Sequence, residues 1–329
     1  MKIAVTGATG FVGGHLARRL HSLGYKVLGL GRDIAKGQAL VDAGLAFKQV
    51  DLSDAHQCTL ALAGQDAVIH CAAFCSPWGS HHAFYSGNVL ATRYVADACL
   101  KGGVERLIHV SSPSIYFDGT DRIGIDEHAS IPDFMANTYA LTKWQSEIEV
   151  LQAQEEGLKL MIFRPRGIFG AGDTTILPRL IEANQKGRLP LFRKGQAWID
   201  LTHVDNVVDA LIAGLMAPDS AWGQDYNISN DDPRTVADLL HLLFDALDME
   251  LRTRSIPVGF AKTIARLLEW GYARLSDKEP PFTPYSVGLL STSMTLDITK
   301  AEKNLGYMPR VSIEEGIEDF ARWWRAQNA

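Results

Sequence analysis

Short apolar runs alternate along the chain with longer stretches whose apolar residues recur every three or four positions. Lys2–Thr6 is a β-branched run of strand type, and Val12, Leu16 and Leu20 then recur at helical spacing. Arg18, Arg19 and His21 fall where a helix C-terminus favours positive charge, and Gly24 is a helix stop. The same alternation predicts strands at Lys26–Leu30, Ala46–Val50, Ala67–His70, Arg106–Val110 and Lys159–Phe163, with helices at about Ala83–Lys101 and Asn137–Glu155. Strand and helix in repeated alternation imply an α/β fold with a doubly wound parallel sheet. Beyond Gly170 the rhythm loosens. Helices are expected at Ile176–Lys186, Val204–Met216 (capped near Thr202), Thr235–Leu247 and Ala261–Tyr272, and short strands at Trp198–Leu201 and Tyr226–Ile228. Pro280, Pro281 and Pro284 mark a loop, and Asp297–Pro309 and Ile313–Ala326 read as helical pieces. The pattern divides the chain into residues 1–168 and a smaller α/β substrate-binding lid, 169–329, with about 198–222 returning to the main sheet.

Between the first strand and helix stand Gly7, Gly10 and Gly13. Glycines let a ligand approach the backbone, and a helix N-terminus offers unpaired N–H groups and partial positive charge. A pyrophosphate is the expected guest, which makes the sheet Rossmann-type and residues 1–168 a dinucleotide-binding domain. The second strand ends in Gly31-Arg32-Asp33, where such folds read the adenosine ribose. Glycine makes room there and Arg32 can pair a 2′-phosphate, which favours NADP(H). Asp33, one register away, would serve a 2′-hydroxyl and keeps NAD(H) open. Asp51, followed by Leu52, either accepts from the adenine amino group or caps the next helix. Cys71-Ala72-Ala73 is small enough for close passage of a cofactor and equally for tight helix–sheet packing.

Composition narrows the picture. A formal charge of −6 over 329 residues argues against a nucleic-acid binder. Cys58, Cys71, Cys75 and Cys99 have no metal-ligand pairing with histidine, so no metal is expected, and they read as reduced thiols of a cytoplasmic protein. The first strand begins by Ile3, leaving no room for a signal peptide, and no apolar run reaches the ~18 residues of a spanning helix. Ile264, Leu267, Leu268 and Trp270 beside Lys262 and Arg266 suit either an interfacial membrane helix or packing over the pocket.

The chemistry follows the order of three features: the glycine turn, Ser112 after the fifth strand, and Tyr139 four residues before Lys143 on one helix. Hydride transfer to a ketone leaves an oxygen that needs a proton. A free tyrosine, with a pKa of about 10, exchanges protons poorly near neutral pH. A nearby ammonium, or a positive nicotinamide ring, lowers it. Tyr139 is therefore assigned as acid/base, Lys143 as its modulator and ribose ligand, and Ser112 as the carbonyl polariser. Phe74, Pro77 and Trp78, just past the fourth strand, form either a substrate wall or a loop anchor, and Ser114 and Tyr116 are added to that wall.

TGATGFVGG, Ser111-Ser112, Tyr139-Ala-Leu-Thr-Lys143 and Arg164-Pro-Arg-Gly-Ile-Phe-Gly170 resemble the extended short-chain dehydrogenase/reductases nearly end to end. Ser112–Gly119 and Phe163–Gly170 are similar to the 3β-hydroxysteroid dehydrogenase and sterol-4α-carboxylate 3-dehydrogenase branch. Ser76-Pro-Trp-Gly79 with Ser114–Gly119 is similar to the bacterial 2-alkyl-3-oxoalkanoate reductases of olefin biosynthesis. The resemblance implies that Gly7, Gly10 and Gly13, with the N–H groups of Phe11 and Val12, hold a pyrophosphate. It implies that Asp51 and Leu52 border adenine, that Ala72 and Ala73 pass under ribose and phosphates, and that Ser111, Tyr139, Lys143, Pro165, Gly167 and Ile168 surround the nicotinamide ribose and carboxamide. Asn88 matches a structural helix asparagine. A homodimer through the Ala83–Lys101 and Asn137–Glu155 helices is implied too. The expected activity is NAD(P)-dependent interconversion of 3-hydroxy and 3-keto groups on a hydrophobic substrate. A nucleotide-sugar epimerase or dehydratase with tightly bound NAD is the alternative, lowered by Pro113 and Ser114 where dehydratase acids would stand. A non-catalytic redox sensor is disfavoured because Tyr139 and Lys143 are both present.

Overall fold

In the computed structural model, which describes every residue except 77, 188, 276–279 and 329, the alternation becomes a wound sheet. The order is β1 (Lys2–Thr6), α1 (Phe11–Ser22), β2 (Lys26–Gly31), α2 (Ile34–Asp42), β3 (Ala46–Gln49), α3 (Ala55–Leu62) and β4 (Ala67–His70). One long helical run follows: α4 (His81–Phe84), a π-helical stretch Tyr85–Leu90 and α5 (Ala91–Gly102). Then come β5 (Arg106–Val110), β6 (Arg122–Ile125), α6 (Thr138–Glu155), β7 (Lys159–Pro165) and β8 (Ile168–Phe169). The later elements are α7 (Leu177–Gln185), β9 (Leu189–Leu191), β10 (Trp198–Ile199), β11 (Thr202–His203), α8 (Val204–Met216), β12 (Gln224–Ile228), β13 (Arg234–Thr235), α9 (Val236–Ala246) and β14 (Thr253–Ser255). The chain finishes with α10 (Val258–Leu275), α11 (Pro284–Ser291), β15 (Met294–Leu296), α12 (Thr299–Leu305) and α13 (Ile313–Asn328).

The main sheet has seven parallel strands in the order β12-β7-β5-β4-β1-β2-β3. Chain order reverses between β1 and β4, and at such a switch point a crevice opens beyond the strands' carboxyl ends. Both faces are covered, so the central strands β1, β4, β5 and β7 are buried along nearly their whole length, while the edge strand β3 is mostly exposed. Leu16, Leu20, Val207, Leu211 and Leu215 pack on one face, and Cys58, Leu62, Val95, Cys99 and Val150 on the other.

Several local expectations shift. The seventh strand, Gln224–Ile228, pairs with β7 although it lies beyond residue 169, just past the 198–222 stretch. It reaches that edge because α8 crosses back over the sheet, with Gly214 pressed so close to Phe163 that a Cβ would come within 2.6 Å of the ring. The cap of α8 is His203, whose Nδ1 accepts from Asp205 N, whereas Thr202 donates to the Arg166 carbonyl. A strand that was not expected, Met294–Leu296, precedes the helical tail and joins β13, β10 and β6 in a second, four-stranded sheet. The lid core of Phe169, Ile181, Leu240, Phe244, Ile317 and Phe320 is separate from the cores of the main sheet. No helix among the described residues is long and apolar enough to cross a membrane.

Candidate functional site

The cofactor end is built from backbone. Gly7 has φ +67, a region in which side chains are strained, and a Cβ there would lie 2.9 Å from Ala72 Cα. A Cβ on Gly13 would lie 2.3 Å from the Gly7 carbonyl oxygen. The turn is thus closed to side chains at both positions and brings Ala72 against it. Gly10 caps α1 without a side-chain hydrogen bond, so the first-turn N–H groups, including those of Phe11 and Val12, carry no side-chain cap. This cradle of backbone donors at a switch point fits the pyrophosphate of a dinucleotide.

At the adenosine end Gly31 packs on Thr9, where a Cβ would meet Oγ1 at 2.6 Å, so contact with the glycine turn is a second reason for that glycine. Arg32 is exposed immediately beyond β2. Asp33 uses its carboxylate to cap α2, accepting from Lys36 N at 3.0 Å. Asp51 accepts from Ser53 N and Oγ at 2.9 and 2.7 Å; these bonds, with a smaller contribution from Arg32, hold its pKa below the usual range. The cap of α3 is Asp54, accepting from His56 N and Gln57 N, so the helix-cap alternative for Asp51 is corrected. Leu52 is partly buried beside it.

The catalytic end is built from side chains. Asn137 caps α6 by accepting from Ala140 N at 2.8 Å, which sets Tyr139 in the first helical turn. Lys143, one turn on, is 1 % exposed and donates to the Val110 carbonyl at 2.8 Å. Burial pulls its pKa down to about 8, against the partial support of Cys75, Glu147 and Cys71. Tyr139 keeps part of its surface, but protein encloses its hydroxyl, and that desolvation raises its pKa well above the ordinary tyrosine value. The nearby Ser112 hydroxyl opposes the rise and Cys75 reinforces it. The chain alone therefore does not produce the expected lowering by the ammonium. Ser111 Oγ is buried without a hydrogen-bond partner at the end of β5, a donor fit for a ribose or carboxamide.

Two neutral histidines support this edge from below. Ala72 N donates to Thr6 Oγ1, which bonds His70 Nδ1 at 2.7 Å; His70 Nε2 bonds Thr92 Oγ1, which donates to the Asn88 carbonyl. Burial pushes His70 down to about 3, so it brings no charge under Lys143. His109 stacks on it with ring centroids 5.4 Å apart and is also pushed down by burial. Asn88 lies in the π-helical stretch, accepts from Phe74 N at 2.6 Å and donates to Thr142 on α6 at 3.0 Å.

The expected substrate wall holds only in part. Phe74 is wedged against Phe84, ring centroids 4.9 Å apart, and against Gly87, so it anchors the loop. Trp78 is partly buried in a turn closed by Ser76, and Pro77 lies outside the described residues. Ser114 is buried, with its Oγ unpartnered. Tyr116 is a correction: it is 0 % exposed, and its hydroxyl is held by Arg164 at 2.5 Å and Asn227 at 3.3 Å, so it cannot line a pocket. Arg164 also makes two bonds to Glu147 at 2.9 and 2.7 Å and an ion pair with Asp225 at 2.6 Å. This buried cluster ties the Lys143 helix to the sheet. Sequence reading also missed Cys75, whose Sγ lies 3.6 Å from the Tyr139 hydroxyl; its place in the loop after β4 was the available signal. Pro165 ends β7, and Gly167 and Ile168 follow it at the same sheet edge, with Gly167 at φ +53 against the Asp200 carbonyl.

A glycine cradle at the switch point, with a tyrosine and a lysine one turn apart on a helix and a serine at the end of β5, defines a dinucleotide-dependent enzyme of the dehydrogenase and epimerase kind. Residues 3–229 match the model of the NAD dependent epimerase/dehydratase family, and the chain belongs to that family, the extended short-chain dehydrogenase/reductases. It is 36% identical over 325 residues to 2-alkyl-3-oxoalkanoate reductase of Stenotrophomonas maltophilia, covering 96% of this chain and 97% of that one. It is 32% identical over 326 residues to the decarboxylating sterol-4-alpha-carboxylate 3-dehydrogenase of Mus musculus, covering 96% and 89%. Among solved structures, UDP-glucuronic acid 4-epimerase from Bacillus cereus in complex with NAD superposes with a TM-score of 0.80 at 21% identity over the whole of both chains, a likeness of fold.

Proposed function

We propose that the chain is an NAD(P)-dependent oxidoreductase interconverting a 3-hydroxy and a 3-keto group on a hydrophobic substrate, a 2-alkyl-3-oxo acid or a sterol-like alcohol. The observation that carries this reading is Tyr139, set one helical turn before the buried Lys143, with the Ser112 hydroxyl acting on its phenol. The bound dinucleotide supplies or takes up the hydride. Tyr139 hands its proton to the carbonyl oxygen in reduction and removes one from the hydroxyl in oxidation. Ser112 donates a hydrogen bond to the same oxygen as charge develops there. Lys143 commits one donor to Val110 and keeps two for a ribose hydroxyl and for the phenolate.

The reductase and the sterol dehydrogenase named above both act on 3-oxo or 3-hydroxy compounds by their names, which supports this reading over epimerisation. The deciding assay uses purified protein, NADPH or NADH, 2-alkyl-3-oxo acids and 3-hydroxysteroids. No turnover with any of them, together with stoichiometric NAD retained through purification, would install the epimerase reading instead.

NADP(H) is the proposed cofactor. Arg32 stands free beyond β2, and the nearby acid, Asp33, is spent on the cap of α2 rather than left for a 2′-hydroxyl. NADPH is expected to have a kcat/KM at least several times that of NADH, an advantage that Arg32→Ala removes. Exposed Phe260, Leu267 and Trp270, at 62%, 67% and 61%, support delivery of greasy substrates from a membrane surface by α10; protein that stays unbound in liposome flotation removes that idea. Exposed Ile148 and Leu151 on α6 support the homodimer, which light scattering would check. All four cysteines are free thiols, in keeping with a reducing cytoplasm.

A further inference from the structure

Two arginines stand two residues apart at the end of β7 and fare differently. Arg164 is 4 % exposed and surrounded by anions. Arg166 is 8 % exposed, yet no carboxylate lies within ion-pair distance of it, and its side chain makes no hydrogen bond among the described residues. Its backbone is fixed on both sides: N donates to the Ile228 carbonyl at 3.0 Å, and Thr202 Oγ1 donates to its own carbonyl. The side chain is therefore held in place without a partner. A buried cation without an ion-pair or hydrogen-bond partner costs several kcal/mol, and unpartnered buried groups such as its Nε call for an explanation.

Its place in the sheet sets it beside the candidate site. Arg166 follows directly on Pro165, at the carboxyl edge of a strand adjacent to β5, which carries Ser111 and Ser112 at its end. The charged and phenolic groups that act on Arg166 are Tyr285 and Asp200. Tyr285, on α11 of the lid and packed edge-on against Phe117, also acts on Tyr139, so it links the two ends of the cleft. Asp200 is 2 % exposed and commits Oδ2 to Leu296 N at 2.7 Å, which ties it to the second sheet rather than to the guanidinium. The pyrophosphate cradle is not the missing partner. β7 and β1 are separated by β5 and β4, three strand spacings or about 14 Å.

We propose that Arg166 binds the substrate's carboxylate. The guanidinium is a planar fork that matches a carboxylate through two parallel hydrogen bonds. In a 3-oxo acid the carboxylate and the reacting carbonyl are separated by one carbon. Anchoring the first on Arg166 therefore presents the second to Tyr139 and Ser112 while the alkyl chains run toward the lid. The proposal rests on the oxidoreductase reading and narrows it: the preferred substrate is an anionic 3-oxo or 3-hydroxy acid, and neutral alcohols and ketones of equal size are poor substrates.

The test uses the full-length protein, a chemically stable 2-alkyl-3-hydroxy acid and its methyl ester, assayed with NADP+, together with Arg166→Met and Arg166→Lys. The wild type should prefer the acid to the ester by about 10²-fold in kcat/KM. Arg166→Met should lose that preference, mostly through KM, with ester turnover unchanged. Arg166→Lys should recover part of it. Equal losses on acid and ester in Arg166→Met, or a wild type indifferent to the carboxylate, would overturn the assignment. Thermal shift separates this outcome from failure of the oxidoreductase reading. Stabilisation of the wild type but not of Arg166→Met by the acid, without turnover, keeps the anion site and sinks the reaction. No stabilisation and no turnover sinks both, and a shift given only by a nucleoside diphosphate would reassign Arg166 to a nucleotide-sugar.

Discussion

The two ends of the site are made by different means. The cofactor end is one contiguous turn, Gly7 to Gly13, whose donors are backbone N–H groups and whose shape depends on missing side chains. The reactive end draws side chains from the loop after β4, the end of β5, the first turns of α6, the end of β7 and the lid. A turn of backbone tolerates no added Cβ but needs little from the rest of the molecule. A constellation of side chains tolerates local change but depends on every element that carries it.

Mutation at each end sharpens this contrast. Tyr139→Phe keeps the ring and its packing and removes only the proton, so kcat should fall by roughly 10²–10⁴-fold with melting and dinucleotide affinity little changed. A residual rate near wild type would mean that another group donates the proton. Glu147→Gln removes the fully buried carboxylate that takes two bonds from Arg164 and leaves only Asp225 to balance it under α6. Breaking a buried pair of this kind costs about 3–5 kcal/mol, read as a lower chemical-denaturation midpoint. Gly13→Ala drives a methyl into the Gly7 carbonyl, and overpacking of this sort costs about 1–3 kcal/mol. Its signature should be weakened dinucleotide binding at preserved Tyr139 chemistry, measured as a raised dinucleotide KM at a kcat close to wild type.

The smallest effect is the pH response of Lys143. Its pKa is lowered to about 8, so the ammonium discharges as pH rises through that value. Activity that needs the cation should fall by roughly tenfold between pH 7 and pH 9. Stability should move the other way. The unfolded lysine, titrating near 10.4, binds more protons than the folded one above pH 8, so folding gains stability there. Parallel pH series of kcat and of the denaturation midpoint test both signs, and Lys143→Met should flatten the second.

Legibility in the sequence follows the same division. The glycine turn, β2 ending at Gly31 and the Tyr139/Lys143 spacing are local patterns, and each appears where its spacing put it. Tyr116 was misread because a tyrosine near a catalytic serine looks the same whether it faces a cleft or a buried arginine. The Asp51 cap was misread by one acid, since Asp51 and Asp54 flank the same helix start. Phe74 and Cys75 are neighbours in one loop, and only packing decides that Phe74 turns inward to Phe84 while Cys75 faces the phenol.

The chain's own pattern determined the wound sheet, the dinucleotide turn and the acid/base pair. Those depend on hydrophobic periodicity and on contacts within a few residues, which a linear reading can follow. Tertiary structure alone decided which of two nearby arginines is neutralised. Arg164 meets Glu147, Tyr116 and Asp225, brought from 17, 48 and 61 positions away. Arg166, by contrast, makes no ion pair among the described residues and feels only the charge of Asp200. Charge pairing inside a protein is set by distance in space, and the sequence carries no direct measure of that distance.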